Sequence, residues 1–168
     1  MSTQNYQHIT HEFEPLFAER SRTLILGTLP SVKSREGQFY YHHPQNRFWK
    51  VLAGVLGQET PGTIEEKTDF LHQNHIALWD VIGSCEISGS SDSSIRQVVP
   101  NDLSEIFAAA PIQAVFCNGS TSYQYYRKYT QAKTGFEAVQ LPSTSPANAT
   151  WALDRLTKSW SVILPYLR

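Results

Sequence analysis

Cysteine is scarce and poorly spaced for metal. The 168 residues include two, Cys85 and Cys117, which form no Cys-x-x-Cys pair. A zinc ribbon or an iron–sulfur cluster needs about four closely spaced soft or imidazole ligands, so neither is expected, and no other cofactor is implied. The His-x-Glu and Pro-Cys-x-x-Cys pair of a zinc deaminase is missing too. Two unpaired thiols fit a reducing compartment, and a cytoplasmic protein is the expectation, nucleoid-associated if bacterial. Long apolar runs are also missing. The longest, TLILG and IALWDVI, are far too short to span a bilayer, and no membrane partner is expected. The opening MSTQNYQHITHEFEP has no basic segment leading into an apolar one, so no secretory signal is read. Basic excess is absent, with 14 Lys and Arg against 15 Asp and Glu. Any nucleic-acid contact must therefore rest on a local patch rather than a basic coat.

Aromatic residues are plentiful, at 12% of the chain, and they concentrate in GQFYYHHPQNRFW, residues 37–49. The stretch sits among short strands and helices. Thr23 to Gly27 reads as a buried strand running into a loop. Asn46 is an N-cap candidate for NRFWKVLAGVLG, with Phe48, Leu52 and Val55 on one face and Gly57 as its stop. Thr63 to Glu66 has capping-box spacing and opens a helix to Gln73. His75 to Ile82 reads as a second strand, and residues 83–100 as a long loop, a length more often functional than idle. Asn101 is expected to cap a helix ending near Ala110. Ile112 to Cys117 forms a third strand, Asn118-Gly119 breaks it, and STSYQYYRKYT forms a helix. Phe136 to Leu141 is the fourth strand, followed by the loop PSTSPANAT. A last helix carries Leu153, Leu156, Trp160, Ile163 and Leu164.

This alternation argues a parallel sheet covered by helices, in a single domain over 1–168 with no internal repeat. Such sheets bind ligands at the carboxyl ends of their strands. Four loops thus become one candidate site: those after Gly27, Asp80, Cys117 and Leu141.

Three segments carry a likeness to a known family: GTLPSVKSREGQFYYHHPQNRFW at 27–49, ALWDVIGSCEISGSSDSSI at 77–95, and LPSTSPANA at 141–149. On them the chain resembles the uracil-DNA glycosylase superfamily over nearly its whole length, and most of all its family 6 branch, the hypoxanthine (deoxyinosine) DNA glycosylases. HPQNRFW also resembles the mismatch-specific branch. The resemblance implies an α/β fold, a three-layer αβα sandwich around a four-stranded parallel sheet. It implies a monofunctional enzyme that cuts the N-glycosidic bond of a deaminated base. The partner would be DNA containing such bases. Apart from the resemblance, a monomer is the default expectation, and no metal is expected.

Two departures stand out. Leu29 replaces the Asp or Asn that positions water in better-known branches, and Leu141 replaces a His or Asn. On the resemblance the water passes to Asn46, through its side-chain oxygen. A plain N-cap is the alternative reading of that residue. Tyr41 aligns with the aromatic that stacks on the flipped base; as residues alone it reads equally as core. Asp80 aligns with the reader of the base edge, accepting from a ring N–H, or donating if protonated; structurally it is a strand-end cap. Gly27, Thr28 and Leu29 bring backbone to the base, and N–H groups at 28 and 29 suit the leaving anion. Ser31 and Lys33, with Arg35, would grip phosphates, and Ser143, Thr144 and Ser145 would form a DNA-contacting loop; otherwise these are ordinary turns. Asp92 and Ser93 belong to the pattern without a role.

His42 and His43 invite a metal reading, but adjacent residues on extended chain point apart and no third ligand has matching spacing. His43 is expected to hydrogen-bond within its own loop. Neither Lys33 nor Lys50 is placed for lyase chemistry. Two rivals stand beside the enzyme. One is a non-catalytic binder of damaged or mismatched DNA. The other is a small-nucleotide enzyme using residues 27–31 as a phosphate loop, which one glycine supports poorly.

Overall fold

A computed structural model describes residues 5–11, 13–89 and 91–167. Its strands are β1 (Gln7–Thr10), β2 (Thr23–Gly27), β3 (Ile76–Asp80), β4 (Ile82–Ile87), β5 (Arg96–Pro100), β6 (Ala114–Asn118) and β7 (Ala138–Leu141). Four of them form a parallel sheet in the order β3-β2-β6-β7. Every residue of β2 and β3 is buried, as expected where both faces of a parallel sheet are covered. The edge strand β7 exposes Val139 and Gln140 and buries Leu141. Successive connections leave β2 toward β3 and then cross to β6, so a topological switch point lies between β2 and β6.

The stretch 83–100 is not the open loop expected from its sequence. It folds into β4, a single 3₁₀ turn at Asp92–Ser94, and β5, and with β1 these make a three-stranded antiparallel sheet in the order β1-β4-β5. Two register shifts interrupt the β4–β5 pairing, which breaks the alternation that marks a strand in sequence. Its other partner, β1, lies more than 70 residues away. A small core of Ile9, Ile82, Cys85 and Ile87 holds this sheet together.

The helices are α1 (Val32–Gly37), α2 (Phe48–Leu56), α3 (Ile64–Gln73), α4 (Ser104–Ala109), α5 (Ser120–Tyr125), α6 (Gln131–Thr134) and α7 (Leu153–Trp160). The capping box of α3 forms as its spacing predicts: Thr63 Oγ accepts from the Glu66 N–H, and Glu66 reaches back to the Thr63 N–H. Gly57 ends α2 in the left-handed conformation. A π-helical segment, Tyr126–Thr130, joins α5 to α6. Asn101 does not cap α4. Its side-chain amide instead donates to the carbonyls of Asp80 and Ile82, where the chain passes from one sheet to the other. Leu156 and Trp160 of α7 are buried, as is Ile163 in the 3₁₀ turn that follows, while Leu153 and Leu164 face solvent. The last helix loosens before its second apolar turn is complete. Both cysteines are buried and unpaired. Among the described residues no helix is long and apolar enough to cross a membrane. Residues 1–4, part of the stretch read for a secretory signal, lie outside the described residues.

Candidate active site

All four strand ends of the parallel sheet open into one cavity of about 710 Å³. Gly27, Thr28 and Leu29 leave β2, Asp80 ends β3, Asn118 ends β6, and Leu141 to Ser145 leave β7. Tyr41, Asn46 and Ser31 complete its wall, so the segments that looked separate in sequence meet here. Ile87 and Asp92 of the antiparallel sheet region also line it. Among the described residues no three of His, Cys, Asp and Glu come together as a metal could use them.

Tyr41 stacks on Phe48, with ring centroids 3.9 Å apart and planes 19° from parallel. Phe48 is fully buried, and Trp49 nearly so. Phe48 thus braces the tyrosine from behind, on a helix start that packs into the main core. Tyr41 has φ of 50°, a conformation that costs a bulky residue energy and that clusters at functional sites. The twist separates two neighbours. Tyr40 turns inward and donates its hydroxyl to the Glu14 carbonyl at 2.7 Å, while Tyr41 turns to the cavity. The Tyr41 hydroxyl is buried without a hydrogen-bond partner, although the Asn118 amide lies near it. Burial, then the charge of Asp80, push this phenol far above the ordinary tyrosine range, so it is a neutral group at any working pH.

Asp80 and Tyr41 converge over Gly27. A methyl group on Gly27 would overlap Asp80 Oδ1 and lie 3.0 Å from the Tyr41 hydroxyl. The glycine is thus required by close approach, not by its backbone angle. The other carboxylate oxygen, Asp80 Oδ2, is 2.7 Å from His11 Nε2. His11 lies just past β1, in a stretch where the sequence carries no recognisable motif.

Asn46 sits one residue before the N-cap position of α2, and its Oδ1 accepts from the Phe48 N–H at 2.9 Å. It therefore caps the helix in a shifted register. The same oxygen accepts from the Thr144 hydroxyl, also at 2.9 Å. Backbone donors fix the polarity of this network. The Phe48 N–H can only donate, so the atom facing it is Oδ1 rather than Nδ2. The Thr144 N–H likewise donates to Asn118 Oδ1 at 3.1 Å, which turns Asn118 Nδ2 onto the Thr144 hydroxyl at 3.0 Å. That hydroxyl has one proton, and it goes to Asn46. Both lone pairs of the Asn46 oxygen are then used, and Nδ2 is left as its unengaged polar end. The oxygen expected to orient a water is thus engaged by two protein donors.

Thr144 lies deeper than its sequence suggests. Expected on the DNA-facing surface, it is fully buried, because its hydroxyl and its N–H serve Asn118 and Asn46. Its neighbours Ser143 and Ser145 stay partly exposed and brace the loop, accepting from the Ser145 and Ala147 N–H groups respectively. Arg47 was not foreseen. Its guanidinium donates to the carbonyls of Ser145, Asn148 and Trp151, tying the 142–151 loop to the start of α2. Ser31 caps α1 by accepting from the Ser34 N–H at 3.1 Å. Lys33 does not join the cavity; it is exposed, 3.5 Å from Glu36. Arg35 does line it, with its Nε buried and unpartnered. His43 Nδ1 accepts from the Gln45 N–H inside its own loop, and the His42 ring packs against Gly37 away from the cavity.

Sequence reading passed over His11, Asn118 and Arg47. Asn118 had one legible signal: it ends the third strand, at the mouth of a candidate loop. The other two act through contacts made across about 70 and 100 residues of chain.

Comparison with known proteins agrees with this geometry. Residues 14–167 match the model of the uracil DNA glycosylase superfamily. A hypoxanthine DNA glycosylase of Methanosarcina acetivorans is 32% identical over 157 residues, covering 92% of this chain and 98% of that one. One from Methanosarcina barkeri is 33% identical over 138 residues, covering 81% and 86%. A solution NMR structure of a candidate uracil DNA glycosylase from M. acetivorans superposes with a TM-score of 0.79 at 32% identity, covering 92% of this chain and 96% of that one. With a four-stranded parallel sheet flanked by helices and its strand ends gathered on one cavity, the chain belongs to the uracil-DNA glycosylase superfamily.

Proposed function

We propose that the protein is a monofunctional DNA glycosylase that flips a deaminated base into this cavity and hydrolyses its N-glycosidic bond. Hypoxanthine is the foremost substrate and uracil the second, and the product is an abasic site for base excision repair. The observation that carries the proposal is the meeting of Tyr41, Asp80 and Asn46 in one cavity, in a chain of this superfamily.

Flipping costs roughly a few kcal/mol in lost pairing and stacking, least at a mismatch. Stacking on an aromatic ring returns roughly 1–3 kcal/mol. Tyr41 provides that ring, and Phe48 keeps it from yielding. Asp80 accepts from the ring N–H of the base. Thr28 and Leu29 bring main-chain N–H groups to the leaving base. No lysine lines the cavity among the described residues, in keeping with base excision without strand cleavage. Ser31, Arg35, Ser143 and Ser145 sit at the rim for phosphate contacts; Lys33 could add only a peripheral one.

The role of Asn46 changes with its geometry. An amide whose oxygen is saturated cannot take a proton from water. Its Nδ2–H is a donor, suited to the negative charge that gathers on the departing base. The bond then breaks ahead of water attack, and the oxocarbenium-like sugar captures a water that needs little activation.

The saturated Asn46 oxygen, together with Leu29 and Leu141, also favours a second reading: a non-catalytic binder of damaged or mismatched DNA. One panel separates the two. Duplexes and single strands carrying inosine, uracil or xanthine are incubated with the protein and treated with alkali. Nicks at inosine, lost in Asn46→Ala with DNA binding retained, support the enzyme. Tight binding with no nicks at any deaminated base leaves the binder.

A further inference from the structure

We propose that His11 is a positioning residue that fixes Asp80 as an acceptor-only reader of the base edge, and so makes the site reject adenine and cytosine. The inference rests on the function proposed above. His11 lies outside residues 14–167, the span of the family match.

The fold delivers this side chain deliberately to Asp80. β1 pairs with β4 in antiparallel register, and the His11 N–H donates to the Gly83 carbonyl at 2.7 Å, extending that pairing by one residue. The ring then enters the interior with 2% of its side chain exposed, against 5% for Asp80. Trp79 and Phe13 pack on it, with centroids at 4.3 and 4.6 Å. Nε2 meets Asp80 Oδ2 at 2.7 Å, while Nδ1 is buried with no partner.

These contacts determine where the proton sits. In this pair the ring N–H is the donor and the carboxylate oxygen the acceptor, which places the shared proton on Nε2. A proton on Nδ1 as well would leave an unpaired N–H buried against aromatic rings, which is costly. The ring therefore has Nε2–H and a bare Nδ1, and it donates one hydrogen bond to Oδ2. Accepting that bond holds the plane of the Asp80 carboxylate. The other groups close to it are the Tyr40 and Tyr41 phenols, and the Tyr40 proton is already committed to the Glu14 carbonyl. Oδ1 remains over Gly27, beside the Tyr41 hydroxyl.

An acceptor at that point reads the atom that deamination changes. Adenine N1 and cytosine N3 are bare acceptors. Hypoxanthine N1 and uracil N3 carry a proton. A carboxylate oxygen bonds the second pair and opposes the first, lone pair to lone pair. Guanine also has N1–H, so its exclusion falls to other parts of the cavity. Without His11 the carboxylate is no longer held and can swing away, which removes the fixed acceptor.

The test compares wild type, His11→Ala and His11→Gln, the last keeping a donor near the position of Nε2. Single strands contain 2′-fluoro-2′-deoxyinosine or 2′-fluoro-2′-deoxyadenosine, which resist cleavage, and affinities are measured for both. We expect the inosine-to-adenosine affinity ratio to fall about ten-fold or more in His11→Ala and to recover to within about three-fold of wild type in His11→Gln. An unchanged ratio in a folded His11→Ala, even with a lower melting temperature, makes His11 merely structural and overturns the inference. Should His11→Ala fail to fold, ¹⁵N spectra of the wild-type imidazole decide. A proton on Nε2 with Nδ1 bare is the expected pattern, and a proton on Nδ1 overturns the inference. Wild-type excision of inosine, measured alongside, separates the two levels. With excision present and the ratio unmoved, this inference alone falls; with no excision of any deaminated base, the enzyme reading falls.

Discussion

Replacing Asn46 by aspartate isolates the atom that matters. Asn46→Asp keeps an oxygen facing the Phe48 N–H and the Thr144 hydroxyl, both now at 2.9 Å, and exchanges the free NH₂ for a second oxygen. The fold should not suffer. A carboxylate before the first turn of α2 interacts favourably with the helix dipole, worth about 0.3–1 kcal/mol. For a domain of this size that is a melting temperature unchanged or raised by up to about 4 °C. Catalysis should suffer heavily. If Nδ2–H supports the departing base, its removal costs one preorganised donor to a developing anion, about 10²–10³ in rate or about 2.7–4 kcal/mol. The assay is single-turnover excision of hypoxanthine with enzyme saturating, so that weaker binding by the new charge does not enter. The alternative makes the opposite forecast. A side chain that holds the attacking water becomes a better base as aspartate. Excision by Asn46→Asp at or above the wild-type rate would therefore refute the donor role and return Asn46 to the water.

Two further predictions concern the packing of the site. Gly27→Ala drives a methyl into the Asp80 carboxylate, which His11 prevents from turning aside. Excision should fall about 10²-fold, as for a reacting group displaced by about 1 Å, with about 1–3 kcal/mol lost from stability; activity within about three-fold of wild type would show that the carboxylate moves freely. High pH should unfold the protein. Burial pushes the Cys117 thiol up to about 12, and burial followed by the Asp80 charge holds the Tyr40 and Tyr41 phenols far above their usual range. These groups bind protons more tightly when folded, so their contribution is complete below pH about 8, where the unfolded thiol begins to ionise, and is lost as pH climbs from the unfolded values toward the folded ones, at about 1.4 kcal/mol per pH unit for each group titrating. Urea midpoints at pH 8, 9.5 and 10.5 should decline, less steeply in Cys117→Ala; a flat profile contradicts the burial of these groups.

The order of elements was legible because it rests on local chemistry. TLILG, IALWD and AVFC are apolar runs bounded by turn residues, and the Thr63–Glu66 box depends on groups three residues apart. The antiparallel sheet was not legible. Its strands are short, a serine-rich connection joins β4 to β5, their register is broken twice, and β1 becomes a strand only by meeting β4. Within the site, the family resemblance marked Tyr41, Asn46 and Asp80, and the parallel sheet predicted that the loops after Gly27 and Asp80 would meet.

Which atom each residue presents was a tertiary decision. Asn46 keeps only its nitrogen unengaged because a backbone N–H and a threonine from the far end of the chain claim its oxygen. Thr144 is internal because Asn118 and Asn46 flank it. Asp80 has one oxygen free because His11 occupies the other. The sequence by itself determined the sheet, the loops at its edge and the chemical groups available there, since these follow from periodicity and residue type. The direction of each hydrogen bond depends on partners distant along the chain, and only folding brings those partners within 3 Å.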